Sequence, residues 1–317
     1  MRRFRIRRRR AVALVLLPVA AIAMTTSFTM AASAPRKAAI EPQKRSVTIG
    51  NRVLMRGRFP DAPNAAVEIR FQAAGHKSFE RVATTRTGPG GYYDVRVKPR
   101  GTGLWRADLA DPARVAQASS SPLDSRSRVD ARSDIERIRV RSRLKADVST
   151  HNATVGRSVR VTGHVAPRGR RSVVITAGGR EIDTRTDRRG RFELSWQPPS
   201  TGTYKLTAKA RGDRVAAGSS DGAGKVTVYR QAAASWYGPG LYGNRTACGQ
   251  TLTSGTLGVA HKTMPCGTKL KLRYGSRTVS VRVIDRGPYA AGREFDLTYA
   301  TKQRLGFPDT GTVYTSK

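Results

Sequence analysis

Acidic residues, histidine and cysteine are all scarce in this sequence. Its 317 residues include 22 Asp and Glu, 4 His and 2 Cys, against 59 Lys and Arg. Both cysteines, Cys248 and Cys266, lie between Ala234 and Val313, together with His261 and four of the acids. If the chain performs chemistry, nearly all the side chains able to do so lie in this C-terminal segment.

These absences exclude several classes of protein. No cysteine lies near the N-terminus, which excludes lipid attachment through an N-terminal cysteine. No cysteine pair lies in the first two thirds of the chain, so antibody-type disulfide-bonded domains are excluded there. The remaining histidines, His76, His151 and His164, are scattered without the spacing of a metal site. We therefore expect no metal and no cofactor.

The formal net charge of +37 calls for a polyanionic partner or a solvated surface. Nucleic acid is one such partner, but the N-terminus argues against it. Residues 2–10 are mostly arginine, residues 11–24 are apolar, and residues 32–34 read Ala-Ser-Ala. This pattern predicts a secretory signal peptide over residues 1–34. An uncleaved membrane anchor is the alternative, because residues 11–34 carry no charge and are long enough for one span.

An exported chain with this charge meets anionic surfaces rather than nucleic acid. Phospholipid headgroups, teichoic acids and peptidoglycan carboxylates are the candidates, and we favour the cell wall. The prediction is a secreted, wall-associated protein whose partners are peptidoglycan glycan strands and anionic wall polymers such as teichoic acid, and not nucleic acid.

The middle of the chain contains a duplication. VTIGNRVLMRG (47–57) is similar to ATVGRSVRVTG (153–163), and GYYDVRVKPRGTGLW (91–105) is similar to GRFELSWQPPSTGTY (190–204). Two matched ends in the same order indicate a repeated domain. Short runs that alternate apolar and polar residues, separated by Gly and Pro, are typical of antiparallel sandwiches. We predict immunoglobulin-like β-sandwiches over 40–110 and 139–229, joined by a flexible linker over 111–138 with a short helix near 134–138.

The role of the two sandwiches is left open by the sequence. Arginine-rich stretches such as RGRR (168–171) fit the binding of an anionic wall polymer. A spacer with a soluble, basic surface is the alternative.

The C-terminal segment is dominated by strands. Alternating valines and leucines cover residues 259–283, and glycines recur about every ten residues, which favours a small closed barrel. Residues 298–305 predict a short helix that ends at Gly306. The two cysteines enclose a loop whose closure by a disulfide would stabilise the fold by about 3 kcal/mol. A metal site is the rival use of these cysteines, although no ligand spacing supports it.

Four motifs in this segment resemble a known family. ASWYGPGLYGNRTACGQ, AHKTMPCGT, VIDRGPY and FDLTYAT are similar to those of the RlpA-like double-psi β-barrel family, in its secreted actinobacterial form. The resemblance covers residues 232–317 and implies a six-stranded double-psi β-barrel, so the whole chain is expected to be all-β. It further implies endolytic lytic transglycosylase activity on peptidoglycan, which leaves 1,6-anhydro-muramyl ends. Related barrels in expansins suggest the alternative, a non-catalytic module that binds or loosens the wall.

The resemblance places three candidate catalytic residues at His261, Asp285 and Asp296. Asp285 is the first candidate for a general acid and base, although an Asp before Arg-Gly-Pro also suits a structural turn. Asp296 faces a groove or caps the following helix, and His261 binds substrate or orients Asp285. Gln250 stands where family members commonly carry an acid, which puts catalysis in doubt.

Further side chains are candidates for substrate binding. Aromatic rings stack on sugars or pack into the barrel, and the sequence does not separate these roles. A Ser254–His261–Asp285 triad is rejected because no nucleophile-elbow pattern surrounds the serine. The substrate-binding candidates are Trp236, Tyr237, Tyr242, Gln250, Arg286 and Tyr289.

Overall fold

A computed structural model describes residues 37–113 and 131–317. The predicted signal peptide and most of the predicted linker lie outside the described residues. The described chain is almost entirely β-structure, as predicted, and forms two sandwiches followed by a barrel. None of the helices in the described part of the chain is long and apolar enough to cross a membrane.

The first sandwich packs a three-stranded sheet, in the order β1-β3-β6, on a five-stranded sheet, in the order β2-β8-β7-β4-β5. Alternating side chains from both sheets enclose a core that includes Ile40, Met55, Trp105 and Ile138. The strands are β1 (Ala39–Pro42), β2 (Ser46–Thr48), β3 (Val53–Arg58), β4 (Ala66–Ala73), β5 (Glu80–Arg86), β6 (Tyr92–Val97), β7 (Gly103–Leu109) and β8 (Glu136–Arg141).

Strand β8 corrects the predicted linker and its predicted helix. Residues 136–141 are a strand that pairs with β7 and β2, and Ile138 and Val140 are fully buried. Asp134 also belongs to the sandwich, because its carboxylate accepts a hydrogen bond from the backbone N–H of Ile40. The sequence ERIRVR alternates arginine with an aliphatic residue, and the apolar face outweighs the charged composition that suggested a linker.

The second sandwich repeats this arrangement. Its three-stranded sheet has the order β14-β11-β9, and the opposite sheet has the order β13-β12-β15-β16, with β10 added to β16. The strands are β9 (Arg143–Val148), β10 (Asn152–Thr154), β11 (Val159–Ala166), β12 (Ser172–Ala177), β13 (Arg180–Arg185), β14 (Arg191–Trp196), β15 (Gly202–Ala210) and β16 (Ser219–Tyr237).

Packing explains why both repeats have a glycine at the same position. Gly57 and Gly163 occupy equivalent positions in β3 and β11, opposite Tyr93 and Phe192. A Cβ atom at Gly57 would lie 2.2 Å from the Tyr93 hydroxyl, and one at Gly163 would lie 2.3 Å from the Phe192 ring. Each aromatic ring therefore lies flat over a glycine, which explains why both repeats keep this pair.

Strand β16 is 19 residues long and belongs to both the second sandwich and the barrel. Its first half pairs with β15 and β10, and its second half pairs with two barrel strands. The barrel elements are β17 (Val259–His261), β18 (Lys269–Tyr274), β19 (Arg277–Asp285), β20 (Phe295–Thr298), helix α1 (Tyr299–Leu305) and β21 (Gly311–Thr315). The shared strand makes the barrel continuous with the sandwich before it.

The barrel is a closed ring of six strands in the order β16-β20-β17-β19-β18-β21, and β21 pairs back to β16. Its core includes Val259, Leu272, Phe295, Leu297 and Val313. This ring confirms the six-stranded barrel that the resemblance implied.

Helix α1 closes one side of the barrel. Thr298 is its N-cap and accepts a hydrogen bond from the N–H of Thr301, while Gly306 ends it in the left-handed conformation (φ 64°). The helix and its terminal glycine match the prediction. Because Thr298 caps the helix, Asp296 does not, and its carboxylate is free for another role.

Candidate active site

Four neighbouring barrel strands place two carboxylates in one row. Ser235 of β16 pairs with Asp296 of β20, Asp296 pairs with Ala260 of β17, and Ala260 pairs with Asp285 of β19. Directly paired residues project from the same face of a sheet. Asp285 and Asp296 therefore lie on either side of Ala260 in the sheet, next to an irregularity in register between Val259 and Ala260.

Asp285 is oriented by the backbone rather than by an arginine. Its Oδ1 atom accepts hydrogen bonds from the N–H groups of Ala247 (2.8 Å) and Arg286 (2.9 Å). Neither neighbouring arginine pairs with it among the described residues, because Arg282 donates to the carbonyl of Gly267 and the Arg286 guanidinium donates elsewhere. The half-buried carboxylate is thus held through Oδ1, and the Tyr237 side chain also interacts with it.

Tyr237 lies on the same face, two residues after Ser235. Its hydroxyl is buried and makes no hydrogen bond of ordinary geometry within the described chain. Burial, followed by the charge of Asp285, a hydrogen-bonding contact with the Asp285 carboxylate and the charge of Asp296, raises the pKa of Tyr237. The phenol therefore stays protonated and is a hydrogen-bond donor directed at the carboxylate pair.

Asp296 is the more protected carboxylate of the pair. The Ser235 hydroxyl donates to its Oδ1 at 2.8 Å. Burial raises the pKa of Asp296, and the charge of Asp285 adds to this effect, while Ser235 and Arg293 oppose it. The row thus contains two carboxyl groups in different environments, one held by backbone donors and one by a serine hydroxyl.

His261 does not join this row. Its Nδ1 atom accepts hydrogen bonds from the N–H groups of Thr263 (3.1 Å) and Met264 (2.9 Å), and its ring packs on Phe295. Two donors on Nδ1 assign the imidazole proton to Nε2, which lies 3.7 Å from Glu294. Burial lowers the pKa of His261. The expected contact with Asp285 is absent from the described residues, so the imidazole is a neutral group that shapes the turn after β17.

Glu294 and Arg230 form an ion pair behind His261 that the sequence did not reveal. The Arg230 Nη1 atom lies 2.7 Å from Oε2 of Glu294, and Nη2 donates to its other oxygen. The hydrogen bond from Arg230 is the main reason that the pKa of Glu294 is lowered. The one signal in the sequence was that Glu294 is among the few acids of this segment.

Arg286 and the disulfide link the His261 turn to Asp285. The Arg286 guanidinium donates to the carbonyls of His261 (3.2 Å) and Met264 (2.8 Å) and contacts the sulfur of Cys266 at 3.4 Å. Cys266 is bonded to Cys248 with a Cα–Cα distance of 5.7 Å, which confirms the predicted disulfide. The residue before Cys248 is Ala247, whose N–H holds Asp285.

Arg286 is one of the predicted substrate-binding residues. In the structure its guanidinium binds backbone carbonyls and so has a structural role. No group of three or more metal-binding side chains occurs within residues 37–113 and 131–317.

The aromatic candidates divide into packed and exposed side chains. Trp236 lies on the other side of β16 from Tyr237. Its indole N–H donates to Asp309 (2.9 Å), and the Lys302 ammonium lies 4.0 Å from the ring centre. The structure does not bring this ring to the carboxylate row.

Tyr242 and Tyr289 present free surface. Tyr289 follows the Asp285-Arg-Gly-Pro turn closely and is 84% exposed, and Tyr242 is 39% exposed. Gln250 is exposed on the loop before Leu252, and its backbone carbonyl accepts a hydrogen bond from Thr246. Its side chain makes no hydrogen bond to any described residue.

Comparison with known proteins agrees with this geometry. A family model described as lytic transglycolase matches residues 229–316, which cover the second half of β16 and every other barrel element. The C-terminal domain is an RlpA-like barrel.

Two curated relatives illustrate the extent of the likeness. A Campylobacter jejuni protein named endolytic peptidoglycan transglycosylase RlpA is 42% identical over 82 residues, which are 25% of this chain and 30% of the relative. A Synechocystis protein named as a probable endolytic peptidoglycan transglycosylase RlpA is 40% identical over 94 residues, 29% of each chain. The match thus spans the RlpA-like barrel and less than a third of either relative.

Solved structures overlap this chain only loosely. The D0-D1 domain of intimin has a TM-score of 0.24 with 11% identity and covers 60% of this chain and 96% of its own. Fibronectin(III)-like modules of Clostridium thermocellum CbhA have a TM-score of 0.22 with 14% identity, covering 60% and 93%. Nothing about function follows from likenesses this distant.

Proposed function

We propose that the protein is an exported peptidoglycan lytic transglycosylase that cuts glycan strands internally. The observation that carries this proposal is the pair of carboxylates, Asp285 and Asp296, held on either side of Ala260 in the RlpA-like barrel. The names of the relatives supply the substrate class, and the geometry of the row supplies groups able to act on it.

The reaction needs one acid and base but no bound water. In the proposed step, Asp285 donates a proton to the glycosidic oxygen as the bond from that oxygen to the muramic acid C1 breaks. The 6-hydroxyl of the same muramic acid attacks C1 and passes its proton to Asp285. The anhydro ring closes, the leaving sugar gains a hydroxyl, and Asp285 is again protonated.

Asp285 suits this role because backbone N–H groups hold its Oδ1 oxygen and so fix the direction of the carboxylate. The buried hydroxyl of Tyr237 interacts with this carboxylate and is placed to donate to it or to a sugar oxygen beside it. We assign Asp296 to support, as a neighbouring carboxyl whose raised pKa limits the negative charge beside Asp285.

His261 is assigned as a positioning residue in this proposal. It orders the turn at residues 261–264, whose carbonyls bind the Arg286 guanidinium. Arg286 is the residue directly after Asp285, so the turn helps fix the carboxylate. Tyr242 and Tyr289 are proposed to contact the glycan, because they are the exposed aromatic side chains on loops next to the row.

The proposed location is the cell wall, reached by export. The N-terminal sequence pattern and the substrate class agree on this compartment. Anionic wall polymers are proposed as additional partners because of the net charge of +37.

A second candidate function rests on Gln250. Family members commonly carry an acid at this place, and here an exposed amide replaces it. If that acid is required, the barrel binds or loosens the wall without cutting glycan, in the manner of expansins.

Digestion of purified sacculi followed by mass spectrometry separates the two functions. A lytic transglycosylase releases anhydromuramyl products, and Asp285→Asn abolishes them while sedimentation with sacculi is retained. The matched control is Asp183→Asn, which removes an exposed carboxylate of the second sandwich. A binding module sediments with sacculi but releases no such product from either form.

A further inference from the structure

The second sandwich carries a row of basic side chains across its three-stranded sheet. His164 of β11 pairs with Arg191 of β14 on one side and with Lys145 of β9 on the other. Directly paired residues share a face, and all three are exposed. The side chains of Lys145, His164 and Arg191 therefore project in the same direction from the end of this sheet.

Two adjoining clefts collect further arginines around this row. A cleft of about 350 Å³ is lined only by His164, Arg168, Arg189 and Arg191. A shallower depression of about 1190 Å³ shares His164 and Arg191 with it and continues past Lys145, Arg170 and Arg185.

The three guanidinium groups of the smaller cleft are not used by the protein. Within the described chain, Arg168, Arg189 and Arg191 make no ion pair and no side-chain hydrogen bond. The adjacent acid, Asp187, is engaged with the hairpin itself, since its Oδ1 accepts the N–H groups of Arg189 (2.8 Å) and Arg191 (2.9 Å). These backbone hydrogen bonds, with the two arginine charges, lower the pKa of Asp187.

Besides Asp187, three acids line the depression, and all are engaged; Asp147 accepts a hydrogen bond from the N–H of Val148. Glu193 lies 3.1 Å from Arg160, and Asp221 accepts a hydrogen bond from the N–H of Ala146. The acids near the cleft therefore partly offset its charge without occupying its guanidinium groups.

The first sandwich has no such cluster at the equivalent place. Arg58 follows Gly57 as His164 follows Gly163, and its sheet partners are Tyr92 and Ala39 instead of Arg191 and Lys145. The Arg58 guanidinium stacks on Tyr92 and donates to the carbonyl of Gly90. The repeated fold thus does not require the cluster, which is a feature of the second copy alone.

We propose that this cleft binds a phosphate group of an anionic polyol-phosphate polymer. Guanidinium groups match phosphate oxygens in a fixed fork geometry, and three of them around one cleft suit a tetrahedral group better than a planar carboxylate. The larger depression beside the cleft, where Lys145, Arg170 and Arg185 alternate with acids, offers space for the polyol of the next unit. The site lies on the second sandwich and does not depend on catalysis by the barrel.

Calorimetric titration of the full chain with soluble poly(glycerol phosphate) tests the site. The variant Arg168→Gln/Arg189→Gln/Arg191→Gln removes three exposed charges and leaves the core intact. We expect its affinity at low salt to fall by about tenfold or more, because three exposed charge contacts with the polymer are lost. Inorganic phosphate is expected to compete with the polymer for the unaltered protein.

The matched control removes the same charge from the first sandwich. Arg52→Gln/Arg56→Gln/Arg96→Gln alters three exposed arginines of the equivalent repeat, and we expect its affinity to stay within about twofold of the original. Equal losses in both variants would mean that net charge alone attracts the polymer, and would overturn the site. Phosphatidylglycerol vesicles and polyglutamate are the alternative ligands. If either binds more tightly than poly(glycerol phosphate), and the Arg168→Gln/Arg189→Gln/Arg191→Gln variant loses that binding, the choice of ligand is overturned.

Discussion

At the scale of single residues, the candidate site depends on one small side chain and two unequal carboxyl groups. Ala260 lies between Asp285 and Asp296 in the sheet. Backbone donors hold Asp285, whereas Asp296 receives a single hydroxyl hydrogen bond. Burial raises the pKa of Asp296.

Asp296→Asn is expected to stabilise the protein at neutral pH. Because burial raises the pKa of Asp296 in the folded state, the folded protein binds more protons than the unfolded chain between the two pKa values. The associated stability is fully present below the unfolded pKa of about 3.9 and is lost as pH rises through the folded pKa. Asparagine does not ionise, so this stability is not lost at neutral pH, and its side-chain oxygen still accepts the Ser235 hydrogen bond.

Thermal denaturation across pH tests this prediction. The melting temperature of Asp296→Asn should exceed that of the original protein at neutral pH, and the gap should shrink below about pH 4. A gap that stays constant with pH would show that Asp296 is not desolvated in the fold.

Substitutions at His261 separate positioning from proton transfer. His261→Ala frees the N–H groups of Thr263 and Met264, and we expect activity to fall. His261→Asn supplies a side-chain oxygen that accepts the same two donors, as asparagine does in turns, but carries no titratable group. If His261 positions the turn, His261→Asn recovers most of the activity and leaves the pH profile unchanged in shape. Equal inactivation by both substitutions would instead make the imidazole a catalytic group.

At the scale of elements, strands from distant parts of the sequence build both the site and the first sandwich. The row at the site comes from β16, β20, β17 and β19, and the disulfide fixes the loop that orients Asp285. Strand β8 completes a sheet of the first sandwich after the segment predicted as a linker.

Ile138→Ala tests whether β8 is structural. Its side chain is fully buried, so the substitution is expected to destabilise the protein by about 2–5 kcal/mol in chemical denaturation. The matched control is Ile135→Ala, since Ile135 is 52% exposed and its loss should cost no more than about 0.5 kcal/mol. If both substitutions had equally small effects, residues 136–141 would not be part of the folded sandwich, and the predicted linker would be correct.

The sequence was informative wherever a pattern is local. The glycine and aromatic pair at Gly163 and Phe192 identified the duplication, and the motif around Asp285 identified the barrel. Ala260 could not be identified from the sequence, because its importance arises from the pairing of strands that are far apart in the chain. The contact of His261 with Glu294 arises in the same way.

At the scale of the whole molecule, the described domains form a continuous body. Strand β16 joins the second sandwich to the barrel, and Ala216 from the loop before β16 is buried in the core of the first sandwich. The carbonyl of Val215 accepts a hydrogen bond from Thr102 in the same contact. The three described domains are therefore linked by a shared strand and by a buried contact.

The most direct test of the proposed function is digestion of peptidoglycan in water enriched in heavy oxygen. If Asp285 transfers protons between the 6-hydroxyl and the leaving group, the new muramyl ends are anhydro sugars and contain no heavy oxygen. Asp285→Asn should give neither anhydro nor labelled ends. Reducing ends that carry heavy oxygen would show that water is the nucleophile, and would contradict a lytic transglycosylase.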